Sequence, residues 1–169
     1  MHYDSKHKPK AFICDNTLGK LARYMILLGY DVARDKRSAR EILRDWGGAF
    51  VREGRMVLGR SPELAREEAE SGRDIFVHIK SPDLTEQLKQ VTARFPMDFA
   101  RTIFTRCTHC NTPLDGPLPR EQVIDQLPPL VRDYGSEFMR CPDCDRLYWR
   151  GTHTERLESF FRDEVGLDV

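Results

Sequence analysis

The chain has no run of eighteen apolar residues, and its basic start, Met1 to Lys10, is not backed by the apolar core of a secretion signal. The first absence argues against a membrane span and the second against export, so the expected setting is cytoplasmic. An excess of one charge is missing as well: 27 Lys and Arg stand against 27 Asp and Glu. Any attraction to an anionic partner must therefore rest on charge clustered on one face rather than on the total. The distribution is only mildly uneven, with 18 basic and 15 acidic residues in positions 1–100 and 9 against 12 in positions 101–169. Internal repeats and low-complexity tracts are absent. Cysteine is scarce at five residues, and in a cytosolic chain paired cysteines more often bind metal than form disulfides.

What is present is the balance of a globular protein, with 32% charged and 40% hydrophobic residues in 169 positions. That length suits one compact domain with a small additional module. Ala11-Phe12-Ile13-Cys14 reads as a strand ending at Asp15, and Leu18 to Leu28 carries leucines at helical spacing up to Gly29. Tyr30 to Arg34 is a second strand. Ser38 and Glu41 have capping-box spacing, so a helix starts there, with Ile42, Leu43, Trp46, Ala49 and Phe50 on its apolar face and Gly47-Gly48 weakening it. Met56 to Leu58 is a third strand. Ser61-Pro62 then has the order of a cap and a first helical residue, and that helix runs to about Ser71-Gly72. Asp74 to Ile79 is a fourth strand, and Ser81-Pro82-Asp83-Leu84 opens a fourth helix. Four strand–helix alternations predict a doubly wound parallel sheet covered by helices.

The alternation stops near Phe95 to Asp98, which places the expected boundary between residues 1–98, an α/β domain, and residues 99–169. The second part holds six of the ten prolines and two Cys-x-x-Cys knuckles, Cys107/Cys110 and Cys141/Cys144. Four thiolates at this spacing predict a closed tetrahedral zinc site, structural because no position is left open for water. His109 and His153 are read as surface or packing residues. The thirty residues between the knuckles exceed the usual ribbon spacing and should form an arm or pack back on the sheet. Tyr148-Trp149-Arg150 could stack on unpaired bases or cover the small core of the zinc module, the second being favoured. A helix from Thr152 to Phe161 ends the module.

Asp15 has two readings. At the carboxyl end of a parallel strand it could ligate magnesium or manganese, and equally it could cap the helix that follows. Asp35, Glu41, Glu63, Asp74 and Asp83 lie near other predicted junctions, Glu41 and Asp83 having capping explanations of their own. Cys14, without a partner at metal spacing, is expected to be a buried thiol.

Taken together, Cys14-Asp15-x-x-Leu18-Gly19-Lys20-Leu21-Ala22-Arg23, Leu27 to Asp31, Glu53-Gly54-Arg55, the two knuckles and Tyr148 to His153 resemble the Mut-seven C-terminal RNase domain family over about Ala11 to Phe161. The resemblance implies a PIN-like α/β nuclease fold with an appended zinc ribbon, and RNA cleavage dependent on magnesium or manganese. Under it, Asp15 matches the first acidic metal ligand, Glu41 falls near the second, and Lys20 and Arg23 form a basic helix face that with Arg60 would hold the RNA backbone. The chain departs from the family where Thr-Arg-Asp is usual and Gly59-Arg60-Ser61 stands, and where Ile26 replaces an arginine. Glu63 is then the candidate to stand in for the missing carboxylate. Two functions follow: a metal-dependent endoribonuclease if the carboxylate site is complete, or a non-catalytic RNA- or ribonucleoprotein-binding factor. A zinc-stabilised protein-interaction module is the remaining alternative.

Overall fold

A computed structural model describes residues 11–45 and 54–169, without the side chain of Tyr134. The expected continuation of the second helix through Trp46 to Phe50 lies outside these residues, as does Glu53. The contacts divide the chain into two units. One is Met1–Ile26 with Tyr30–Met97, and the other is Leu27–Gly29 with Asp98–Val169.

The first unit is built on strands β1 (Ala11–Cys14), β2 (Asp31–Arg34), β3 (Met56–Gly59) and β4 (Phe76–His78), all parallel, in the order β2-β1-β3-β4. Helices α1 (Gly19–Leu27), α2 (Ala39–Arg44), α3 (Pro62–Glu70) and α4 (Leu84–Arg94) alternate with them. Because parallel crossovers are right-handed, a chain that goes from β1 outward to β2 and then back past β1 to β3 winds helices onto both faces. Phe12, Ile13 and Cys14 are accordingly all buried. Ile13 packs with Val57, Ile42, Leu43, Leu64 and Phe76 on one face. Phe12, at the alternate position, meets the rings of Tyr30 and Phe95, whose centroids lie 5.6 and 5.0 Å away. The Tyr30 hydroxyl donates to the Phe95 carbonyl at 2.5 Å, and burial pushes its pKa up.

The expected caps are in place. Ser38 and Glu41 form the capping box of α2, Ser61 accepts from Leu64 N–H with Pro62 in the first turn of α3, and Asp83 accepts from Glu86 N–H to start α4. The fourth strand is shorter than Asp74 to Ile79, and Asp74 makes an exposed ion pair with Arg94.

The second unit contains the short α5 (Phe99–Thr102), an antiparallel sheet of β5 (Asp115–Leu118), β6 (Ser136–Arg140) and β7 (Leu147–Arg150), and α6 (Pro129–Tyr134). Its last helix, α7 (Thr152–Phe160), runs into one π-helical turn, Phe161–Val165. Leu27, Leu28 and Gly29 belong here because their carbonyls accept from Phe104 N–H, the Thr102 hydroxyl and Arg106 Nε–H at 2.7, 2.9 and 3.1 Å. Gly29, at φ +96°, is needed where it is: a Cβ would stand 2.3 Å from the Thr102 carbonyl oxygen. The stretch between the knuckles is no loose arm. It forms β5, two 3-10 turns, α6 and β6, and closes an apolar core of Val123, Leu127 and Phe138 against Leu118, Val131, Leu147 and Trp149.

Candidate functional site

Two places collect the residues singled out from the sequence. The first is the carboxyl edge of the parallel sheet. The chain reverses direction across the sheet between β1 and β3, and such a switch point opens a crevice between strand exits. Asp15 lies there, 6% exposed, immediately after β1. Its backbone N–H donates to the Leu58 carbonyl of β3, and the exit loop of β2 closes over the other side, with Asp35 N–H donating to Cys14 O and Asn16 N–H to Arg37 O. Oδ1 of Asp15 accepts from the backbone N–H of Thr17 at 2.9 Å and from its hydroxyl at 2.6 Å. One oxygen therefore shapes the turn leading to α1, as a capping aspartate would. Among the described residues Oδ2 accepts no hydrogen bond, and it sits beside Gly59.

The other acidic candidates point elsewhere. Glu41 Oε2 accepts from both the backbone N–H and the hydroxyl of Ser38, and these bonds hold its carboxyl below the usual range. Ser61 Oγ is engaged twice, accepting from Leu64 N–H and donating to Glu63 Oε2 at 3.1 Å. Glu63 is exposed, its pKa lowered by its own backbone N–H and then by Ser61. Asp35 is gripped by Arg37, whose Nη2 lies 2.8 Å away, and that hydrogen bonding lowers its pKa. Among the described residues, the four ribbon cysteines are the group of three or more potential metal ligands, and no carboxylates gather around Asp15. A single free oxygen does not meet the demand of magnesium or manganese for several oxygen ligands.

Lys20 and Arg23 are exposed and three residues apart on α1, hence on one face, and Arg60 is exposed at the exit of β3. None of the three makes an ion pair among the described residues. Ile26 is fully buried, so that position offers no phosphate contact. Arg55 is structural: its Nη1 donates to Asp31 Oδ1 at 2.6 Å and to Phe12 O at 3.2 Å. Cys14 is buried, and burial drives its thiol strongly upward.

The second place is the ribbon. The sulfurs of Cys107, Cys110, Cys141 and Cys144 all lie within 4.8 Å of one another. Separations of 3.4 Å for Cys107/Cys110, 3.3 Å for Cys110/Cys141 and 3.6 Å for Cys107/Cys144 are well beyond the about 2.05 Å of a disulfide. They approach the roughly 3.8 Å edge of a tetrahedron with about 2.3 Å metal–sulfur bonds. The donor set fits zinc, which these four thiolates could hold with no open coordination position.

Each knuckle is built in the same way. Asn111 N–H donates to Cys107 O at 2.8 Å and Cys107 N–H to Thr112 O at 2.9 Å; Asp145 N–H donates to Cys141 O and Cys141 N–H to Arg146 O at 2.9 and 3.0 Å. Asn111 and Asp145 occupy the same left-handed position, at φ 67° and 59°. Asn and Asp tolerate that conformation better than other side chains, and their place one residue after the second cysteine is a signal that sequence reading missed. The Tyr148 hydroxyl lies 3.0 Å from Cys107 Sγ and accepts from Thr108 N–H at 3.2 Å. Burial alone would raise the Cys107 thiol. Hydrogen bonds from Tyr148 and from the N–H groups of Cys110 and His109 outweigh it and bring the value down to about 6. Trp149 covers the insert's core, as favoured from the sequence, and Arg150 is held by Glu137 and Glu158 and lies over the Phe104 ring.

No helix among the described residues is long and apolar enough to cross a membrane. Comparison with curated proteins and with solved structures finds no match. The model of the Mut7-C RNAse domain matches residues 10–161, nearly the whole chain. A strand-end aspartate, a basic helix face and a four-cysteine ribbon thus occur in a chain that belongs to the Mut7-C RNAse domain family.

Proposed function

We propose that this chain is an RNA-binding member of the family, PIN-like in residues 1–98 with a zinc ribbon and terminal helix in residues 99–169, and that it holds RNA at the β1/β3 strand exits without cutting it. Its setting is cytoplasmic, where the ribbon thiols stay reduced. The family match supports RNA as the partner. The absence of turnover rests on one observation: Glu41, Ser61 and Glu63, the side chains that would have to complete a metal site with Asp15, are committed to the caps of α2 and α3. Exposed Lys20, Arg23 and Arg60 supply phosphate contacts, and Asp15 holds the turn into α1, which carries the first two.

The competing reading, a metal-dependent endoribonuclease anchored on Asp15, is favoured by the family's RNase character and by the uncommitted Oδ2. One experiment separates the two. Purified protein is incubated with single-stranded and structured RNA and with magnesium or manganese, while binding is followed by fluorescence anisotropy. Expected are salt-sensitive binding and intact RNA. Replacing Lys20, Arg23 or Arg60 by alanine should weaken binding and flatten the salt slope by about 0.7 per lost phosphate contact. Metal-dependent cleavage that disappears in Asp15→Asn would overturn the binding reading in favour of the enzyme.

A further inference from the structure

The ribbon carries a shallow, open depression whose lining includes Thr108, Gln126, Asp145, Arg146, Tyr148 and Trp149. It lies along β7, the edge strand of its sheet. Neighbouring side chains of a strand leave on opposite faces, so Tyr148, on the side of the cysteine cluster, and Trp149, on the side of the insert's core, flank that open edge from its two faces. Both rings are half-exposed and both are held from behind. Tyr148 is pinned by its hydroxyl to Cys107 Sγ and Thr108 N–H, and Trp149 rests on Val123, Leu127 and Phe138.

The polar lining has one sign to spare. Asp145 is neutralised by Arg140, which also donates to Gln126 Oε1 and leaves the Gln126 amide as a donor. Arg146 is exposed and makes no side-chain hydrogen bond or ion pair among the described residues. Aromatic rings flanking a strand edge, an exposed guanidinium, an amide and open strand-edge backbone groups suit a flat, hydrogen-bonding ring joined to an anion.

We propose that this strand edge is a nucleotide subsite: it takes one unpaired base of a single-stranded RNA against the half-exposed Trp149 ring at the edge of β7, with Arg146 on the adjoining phosphate. The subsite rests on the RNA-binding reading above, and it places a second RNA contact in a unit distinct from the one that holds Asp15. Because Tyr148 is fastened to a cysteine of the cluster, the edge it flanks stands ready only when the ribbon is formed.

Trp149 supplies its own reporter once Trp46, the second tryptophan, is replaced by phenylalanine. The zinc-loaded full-length Trp46→Phe protein is titrated with oligouridylate and oligoadenylate, and indole fluorescence is read beside anisotropy. Binding should quench Trp149. Arg146→Ala should weaken binding about tenfold and flatten the salt slope by about 0.7, as loss of one phosphate contact does. An unchanged circular dichroism spectrum of Arg146→Ala shows that the loss is not unfolding, and Trp149→Phe, which keeps the insert's core filled, should retain part of the affinity. Anisotropy that reports binding without quenching, or binding indifferent to Arg146→Ala, overturns the subsite and leaves RNA binding standing. No binding of either oligonucleotide overturns both.

Discussion

Oδ2 of Asp15 lies 3.0 Å from where a Cβ on Gly59 would be, and the same Cβ would stand 2.7 Å from that of Ala39 and 3.0 Å from the Phe76 ring. The exits of β1 and β3 can approach this closely because residue 59 has no side chain. Gly59→Ala should destabilise the protein by about 1–3 kcal/mol, the usual range for overpacking a filled core, and should weaken RNA binding by moving the Asp15 loop. A denaturant melt with an unchanged midpoint would show that the strand ends yield at no cost.

Zinc should be present at about one per chain, and removing it should collapse the ribbon. Cys141→Ser, which deletes one of four ligands, is expected to lose the metal and lower the unfolding temperature. Metal analysis together with thiol titration checks this. A metal-free protein with full thermal stability would reject a structural role.

The Tyr148 hydroxyl should raise zinc affinity by serving one thiolate from outside the ligand shell. Tyr148→Phe is expected to lower affinity about 10- to 100-fold, as loss of such outer hydrogen bonds typically does, with the fold intact by circular dichroism. Competition with a chromophoric chelator measures it.

The two left-handed knuckle positions predict a contrast. Asn111→Ala should cost about 1 kcal/mol more than Asn111→Gly, because an alanine Cβ is strained at φ 67°. The same difference is expected at Asp145, where either substitution also breaks the ion pair with Arg140. Thermal melts of the four variants test both statements.

Acid should weaken the strand-exit loops. Hydrogen bonds from Arg37 depress Asp35 and those from Ser38 depress Glu41. A carboxylate with a lowered folded pKa stabilises above its unfolded value, near 4, and that contribution is lost as pH falls through the lower folded value. The contribution of these two carboxylates should therefore be constant from neutrality to about pH 5 and decline below about pH 4. Asp35→Asn should flatten the decline in a pH series of denaturant melts.

Much of this molecule is written in local signals. Ser38 with Glu41 and Ser61 with Pro62 announce helix starts through neighbours three or fewer residues away, and the Cys-x-x-Cys spacing announces a cluster because two sulfurs of one knuckle must face one point. Whether Glu41 or Glu63 turns toward Asp15 is a different kind of question. A glutamate beside a helix start has the same residue type and spacing whether it caps the helix or ligates a metal, and only the hydrogen bonds from Ser38 and Ser61 decide. The Tyr148 contact with Cys107 joins positions forty-one residues apart, and no local pattern foretells it.

The insert between the knuckles has its own core of Val123, Leu127 and Phe138, and both of its ends are tied to one cluster of sulfurs. Closing that cluster shortens the loop the chain must search, so the insert's core and the metal should form as one cooperative event. A cell short of zinc would then lose the insert and the aromatic rings of the subsite together, and proteases would find the first cut between Thr112 and Arg140.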